Sequence, residues 1–194
     1  MKAAGIGAVA VTTSVGAKAA GAVPATANVP TAISKESGAF NINGKVYQAD
    51  YEVRTTLWEV IAVKLGMTGT NRSCNRASCG ACSVLIDGAS FYSCHTLAME
   101  AIGKKIFTVE GLGDEHNLHP LQKVAHIYNA AECGFCTPGW EVSAKGLLDK
   151  NPNPDVDQVK AALAGHLCRC GAYESIIHTV IDTGKVLRGE AEIV

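Results

Sequence analysis

From Gly38 the chain alternates apolar and polar positions with a period of two. Phe40 and Ile42 sit between polar neighbours, Asn43-Gly44 is a tight-hairpin signal, and Val46-Tyr47-Gln48 resumes as the return strand. Thr56-Leu57-Trp58-Glu59 then matches a capping box. It opens an amphipathic helix with Leu57, Ile61 and Leu65 at fourfold spacing and Gly66 as its stop. A cysteine-rich loop follows, and a second hairpin is predicted from strands over residues 83 to 86 and 90 to 92 around an Asp87-Gly88 turn. Residues 105 to 109 supply a further strand. Two hairpins, a crossing helix and a closing strand predict a β-grasp domain over residues 38 to 112.

After Gly113 the period becomes helical. His119-Pro120 starts a helix at Pro120, where a missing N–H costs nothing, and Leu121, Val124, Ile127 and Tyr128 mark its buried stripe. Thr137-Pro138-Gly139 opens a second helix running through Leu148. Asn151-Pro152-Asn153-Pro154 breaks the chain, and residues 155 to 163 and 173 to 187 form a third and a fourth helix. Four helices of this length predict a small bundle over residues 113 to 194. The expected fold class is therefore α+β, a β-grasp domain followed by a four-helix bundle.

The first residues have a different character. Residues 3 to 17 carry no charge and are built from Ala, Gly, Val, Ile, Thr and Ser, a run shorter than the roughly 20 apolar residues of a spanning helix. With Ala25-Thr26-Ala27 as a cleavage candidate, residues 1 to 27 read as an export signal, and residues 28 to 37 as a linker. A twin-arginine signal ends in the Met-Lys that opens this sequence, so the expectation is a start lying inside such a signal. The expected location is the periplasm, with the cytoplasm as the alternative, and no stable membrane span is expected. A formal net charge of -1 and 6% aromatic residues leave neither a basic footprint nor a stacking platform, which argues against a nucleic-acid partner.

The eight cysteines fall into two sets. Cys74, Cys79, Cys82 and Cys94 form C-x4-C-x2-C with a distant fourth member, the ligand pattern of plant-type [2Fe-2S] proteins. Cys133 and Cys136 in C-G-F-C join Cys168 and Cys170 in C-R-C. Disulfides belong mostly to short secreted chains without a sufficient core, and this chain of 194 residues is 47% hydrophobic. Zinc favours a pair meeting a pair, whereas the first set is a triplet plus one and the second contains a C-x-C. Thiolates on iron accumulate negative charge, so the surrounding backbone must present N–H groups. Ala77, Gly80 and Ala81 keep bulk away while the first loop curls its amides inward. Both pairs of the second set precede predicted helices, whose positive ends face an anionic group. Both sets are complete without histidine. His119 reads as a helix N-terminal residue, and His95, His116, His126 and His178 as surface or core residues.

The segments C-N-R-A-S-C-G-A-C, H-P-L-Q, C-G-F-C-T-P-G and G-H-L-C-R-C-G-A-Y, in this order, carry a resemblance over roughly residues 38 to 187. The chain resembles the [2Fe-2S] subunit or domain of the molybdenum hydroxylases, the xanthine dehydrogenase and aldehyde oxidase family, with the periplasmic aldehyde oxidoreductases as the nearest type. The resemblance implies a ferredoxin-like β-grasp domain holding one cluster through Cys74, Cys79, Cys82 and Cys94. It implies a helical domain holding a second through Cys133, Cys136, Cys168 and Cys170. Gly80, Ala81, Glu132, Gly134, Phe135 and Arg169 become candidate cofactor-contacting residues. The family commonly has Gln where this chain has Glu132, which lacks the amide donor, and Asn where it has His166. The implied role is an electron-transfer subunit, with no catalytic residue of its own. Its implied partner is a large molybdopterin-binding subunit that hydroxylates aldehydes or N-heterocycles, and an FAD subunit or a cytochrome is the candidate acceptor. The implied electron path runs from molybdenum to the helical-domain cluster, then to the β-grasp cluster. A free-standing ferredoxin-like carrier is the alternative. The polar first loop is expected near solvent, and the second set beneath the partner.

Overall fold

The computed structural model describes residues 34 to 193, so the expected export signal and its cleavage site lie outside the described residues. Strands β1 (Lys35–Ile42) and β2 (Lys45–Glu52) form an antiparallel hairpin closed by Asn43 and Gly44, whose φ angles are 51° and 79°. Positive φ at both turn positions matches the right-handed twist of the strands. β1 begins at Lys35, inside the segment read as linker, because Lys35, Glu36 and Ser37 pair with Glu52, Tyr51 and Asp50. The expected capping box forms. The Thr56 N–H donates to the Glu59 carboxylate at 2.8 Å and the Glu59 N–H to the Thr56 hydroxyl at 3.3 Å.

The helix behind that cap is wound as a π-helix over Glu59–Lys64, a correction to the expected α-helix. The Leu65 N–H reaches the Val60 carbonyl at 3.0 Å, one residue further back than in an α-helix. The wider turn seats Leu57, Val60 and Ile61 together in the core with no exposed surface. β3 (Ser83–Ile86) and β4 (Ala89–Tyr92) form the second hairpin. β5 (Lys105–Phe107) lies parallel to β1 and antiparallel to β3, giving the order β2-β1-β5-β3-β4. β5 stops short of the expected Val109, since Val109–Gly111 turns as a 3₁₀-helix with the Gly111 N–H on the Thr108 carbonyl. Phe40, Ile42, Leu57, Val84 and Ile106 fill the core of this half.

The helical half holds α1 (Pro120–Ile127), α2 (Thr137–Leu148), α3 (Val156–Leu163) and α4 (Tyr173–Leu187). The His119 side chain caps α1 by accepting from the Leu121 N–H at 3.1 Å. Asp155 and Gln158 cap α3 reciprocally, at 2.8 and 3.0 Å. Leu121, Trp140, Ala144, Val159 and Val180 make the helical core. α2 serves both halves, packing on β3 and β4 as well as on the other helices, and the described residues form one compact unit. No described helix is long and apolar enough to cross a membrane.

Candidate metal centres

The first cysteine loop is tied down before it begins. The Trp58 indole N–H donates to the Thr70 carbonyl at 2.8 Å, and the Arg72 guanidinium lies 3.7 Å from the centre of the Trp58 ring. Asn75, Ala77 and Gly80, at φ 53°, 54° and 74°, interleave left-handed residues with the cysteines. Such alternation turns successive N–H groups to one side, and the Ser78 N–H points at the Cys74 sulfur from 3.3 Å. Backbone N–H groups at Arg76 and Ser78 lower the Cys74 thiol to about 7. Cys82 and Cys94 are buried together, and the Ser93 hydroxyl holds the Cys82 carbonyl at 2.7 Å. Burial pushes the Cys82 thiol up to about 12, and the adjoining Cys94 thiol adds to the rise. A positive ion between such sulfurs inverts that preference.

In the second set Cys136 is the N-cap of α2, while Cys168 and Cys170 lie on the turn that leads into α4. Gly134 and Gly171, at φ 77° and 84°, supply the reversals beside them. Cys136 meets Cys168 and is raised to about 12 by burial first and by that thiol second. Against burial, the backbone at Ala172 and the Cys136 thiol draw Cys168 below its ordinary value. Cys170 meets Cys133: against the Cys133 backbone N–H, the Cys133 thiol raises Cys170 above its ordinary value, and the Glu132 carboxylate adds the smallest part. Cys133, Cys170, Glu132, Phe135 and Arg169 are exposed, whereas Gly80 and Ala81, at the end of the first loop, are buried. Within this chain the second set is therefore the more open one, and Cys82 and Cys94 are the enclosed thiols.

All eight cysteines are free thiols. They meet two by two, as Cys74 with Cys79, Cys82 with Cys94, Cys133 with Cys170 and Cys136 with Cys168. Among the described residues no three His, Cys, Asp or Glu side chains gather round a single ion position. Two thiol pairs per set suit a two-iron unit, which takes two thiolates on each iron, better than one tetrahedral zinc. The donor sets thus fit [2Fe-2S] clusters.

The two sets share a cleft of about 340 Å³ lined by Ser73, Cys79, Cys133, Cys136, Cys168 and Tyr173, among others. Their loops are bonded directly. The Asn71 amide donates to the Phe135 carbonyl at 2.9 Å, and the Leu167 N–H to the Cys79 carbonyl at 3.0 Å. The His166 Nε2 lies 3.0 Å from the hydroxyls of both Ser83 and Ser143, and burial lowers this imidazole below its ordinary value. Nothing in the sequence singles out the two serines, because a lone Ser on a strand or helix carries no pattern.

A family model described as a [2Fe-2S] binding domain matches residues 108 to 181. The nicotine 6-hydroxylase small subunit of Paenarthrobacter nicotinovorans is 41% identical over 73% of this chain and 85% of its own length. The aldehyde oxidoreductase iron-sulfur-binding subunit PaoA of Escherichia coli (strain K12) is 33% identical over 76% of this chain and 71% of its own. The aldehyde oxidoreductase of Megalodesulfovibrio gigas is 40% identical over 77% of this chain, which spans only 17% of that enzyme's length. In structure, a chain of quinoline 2-oxidoreductase from Pseudomonas putida 86 superposes with a TM-score of 0.75 at 39% identity, covering 81% of this chain and 99% of that one. These matches define an iron-sulfur electron-transfer protein. The chain belongs to the iron-sulfur subunits of the aldehyde oxidoreductase and xanthine dehydrogenase family.

Proposed function

We propose that this chain holds one [2Fe-2S] cluster on Cys74, Cys79, Cys82 and Cys94 and another on Cys133, Cys136, Cys168 and Cys170. It serves a large molybdopterin-binding subunit that oxidises aldehydes or N-heterocycles. The observation that carries the reading is the meeting of all eight thiols, from four segments of the chain, with the first cysteine loop bonded to the segments at Phe135 and Leu167. A [2Fe-2S] cluster, when bound, supplies one-electron chemistry. The chain's own residues do the rest. Inward amides around Cys74 and the start of α2 at Cys136 offset thiolate charge, and Cys82 and Cys94 keep one side of the first set dry.

Exposed Phe135, Leu167 and Tyr173 flank the open second set, and an apolar border of this kind suits a docking face for the large subunit. Glu132 and Arg169 lie on the same loops as its polar contacts. The acceptor, an FAD subunit or a cytochrome, then approaches from the side of the first loop. Iron and acid-labile sulfide assays test the cofactor reading, with about four of each per chain expected. Two irons, or zinc in their place, would refute it. Copurification from the native host tests the partner, and a chain found alone there favours a free-standing carrier instead. For location we infer export to the periplasm from residues 1 to 27. Intact-mass analysis should find a mature chain beginning near Asn28, and an uncleaved chain in the cytoplasm removes the inference.

A further inference from the structure

The two cysteine loops touch where three glycines and one imidazole meet. A Cβ on Gly80 would stand 2.6 Å from the Gly165 carbonyl oxygen and 2.6 Å from the His166 Cδ2. A Cβ on Gly139 would stand 2.2 Å from the Gly80 carbonyl oxygen. The loop between Cys79 and Cys82, the start of α2 and the turn before Cys168 are therefore packed backbone on backbone. Such contact sets how near these segments lie, but smooth backbone surfaces can slide. Directional bonds are needed to fix their register, and His166 supplies them. Its Nε2 reaches Ser83 on β3 and Ser143 on α2, each at 3.0 Å. The Ser83 hydroxyl donates to the Gly80 carbonyl at 2.8 Å, and the Ser143 hydroxyl lies 2.7 Å from that of Ser90 on β4. The Ser83 proton is committed to the Gly80 carbonyl, so the His166 Nε2–H is the donor and is shared between the Ser83 and Ser143 oxygens, leaving the Ser143 proton for Ser90. The next residue, Leu167, donates its N–H to the Cys79 carbonyl at 3.0 Å, and the residue after that is Cys168.

We propose that His166 is a positioning residue for electron exchange between the two cysteine sets. By bonding to strand and helix at once, the ring holds the Leu167 N–H on the Cys79 carbonyl and fixes the spacing and relative orientation of the two sets. Electron exchange and magnetic coupling between two centres both fall steeply with separation, so a small slip at this joint is felt in both. The inference rests on the two-cluster reading given above. It adds a role for a residue that is neither a ligand nor in contact with substrate.

The test uses the full chain in complex with its large subunit, reduced with dithionite and observed by low-temperature electron paramagnetic resonance. With both clusters reduced, spin-spin splitting of the signals reports their spacing and orientation. The His166→Ala variant should keep its iron and sulfide yet lose most of that splitting. His166→Gln, whose amide nitrogen can occupy the place of Nε2, should restore it. Unchanged splitting in an iron-replete His166→Ala variant overturns the proposal, and equal loss in His166→Ala and His166→Gln overturns the hydrogen-bonding role. If His166→Ala sheds iron, the Ser83→Ala, Ser143→Ala double variant decides. Weakened splitting there supports the proposal, and splitting like that of the unsubstituted chain overturns it. Fewer than four irons in the unsubstituted chain is a different failure, because it removes the two-cluster reading and this inference with it.

Discussion

Gly139 shows how a single residue joins the two centres. Its absent Cβ would sit 2.2 Å from a backbone oxygen of the first cysteine loop, and no flexible side chain is there to yield. Gly139→Ala should destabilise the chain by about 3 kcal/mol, at the upper end of overpacking costs. Thermal unfolding of the cluster-loaded protein checks this, and an unchanged melting temperature would show that the loops can part without cost. A second residue bears on cluster electronics. Glu132 places a carboxylate beside Cys170, and removing that charge eases addition of an electron to a cluster held there. Glu132→Gln should raise the reduction potential of that cluster by tens of millivolts, read by redox titration, while the other cluster stays put. A fall in potential, or an equal shift in both clusters, would contradict this placement. The cysteines and the smallness of Gly80 and Ala81 were legible in the sequence, since cluster ligation has its own spacing. Gly139, Gly165 and the serines around His166 were not. Their importance lies in which backbone packs on them from far along the chain, and no local pattern records that.

Elements were legible where their signals are local. The Asn43-Gly44 turn and the Thr56–Glu59 capping box lie where turn and cap chemistry put them, and α2 and α4 keep the expected bounds without a side-chain cap. The winding of the helix after Thr56 was not legible, because the spacing of Leu57, Ile61 and Leu65 suits an α-helix and the core imposed a wider turn on it. α2 forms with the expected bounds and packs with the other helices, and it has a further role that its sequence does not announce. Its residues read as one member of a bundle, yet it also lies between the sheet and the other helices, is buried on most sides, and takes two polar side chains inside with it. Ser143 is one, and Glu141, only 5% exposed, is another. Burial raises the Glu141 carboxyl from 4.5 to about 7. With the folded value above the unfolded one, the stability tied to its proton is complete below pH 4.5. It is lost as pH rises towards 7 and is flat beyond. Glu141→Gln keeps the shape and removes the titration. Stability should then rise by up to roughly 3 kcal/mol at pH 8 and change little at pH 4, flattening the profile between. Parallel denaturation curves for the two proteins from pH 4 to 8 would contradict this account of Glu141.

At the scale of the whole molecule, composition and motif order conveyed two cysteine-bearing halves but not that one helix fuses them or which set lies open. The polar residues of the first loop do lie at the surface, as Arg72, Asn75 and Arg76 show, while two of its set's sulfurs sit deep below them. Cys82 and Cys94 are buried while Cys133 and Cys170 are exposed, so among the described residues the second set is not enclosed. Among solved structures the same fold accounts for 99% of one chain and 18% of another, a far longer one. On the proposal that a large subunit docks on this chain, its face lies beside the open set. Phe135 at 47% exposure and Leu167 at 58% are the large apolar side chains available there, and both border the shared cleft. Neither side chain is buried in this chain's own core, so charging both should leave folding and iron content intact. Together, Phe135→Glu and Leu167→Glu should weaken association with the large subunit by at least about tenfold, since a buried carboxylate opposite an apolar surface is strongly disfavoured. Titration of the iron-loaded variant against the isolated large subunit measures the change. Wild-type affinity in that experiment would move the docking face elsewhere on the molecule.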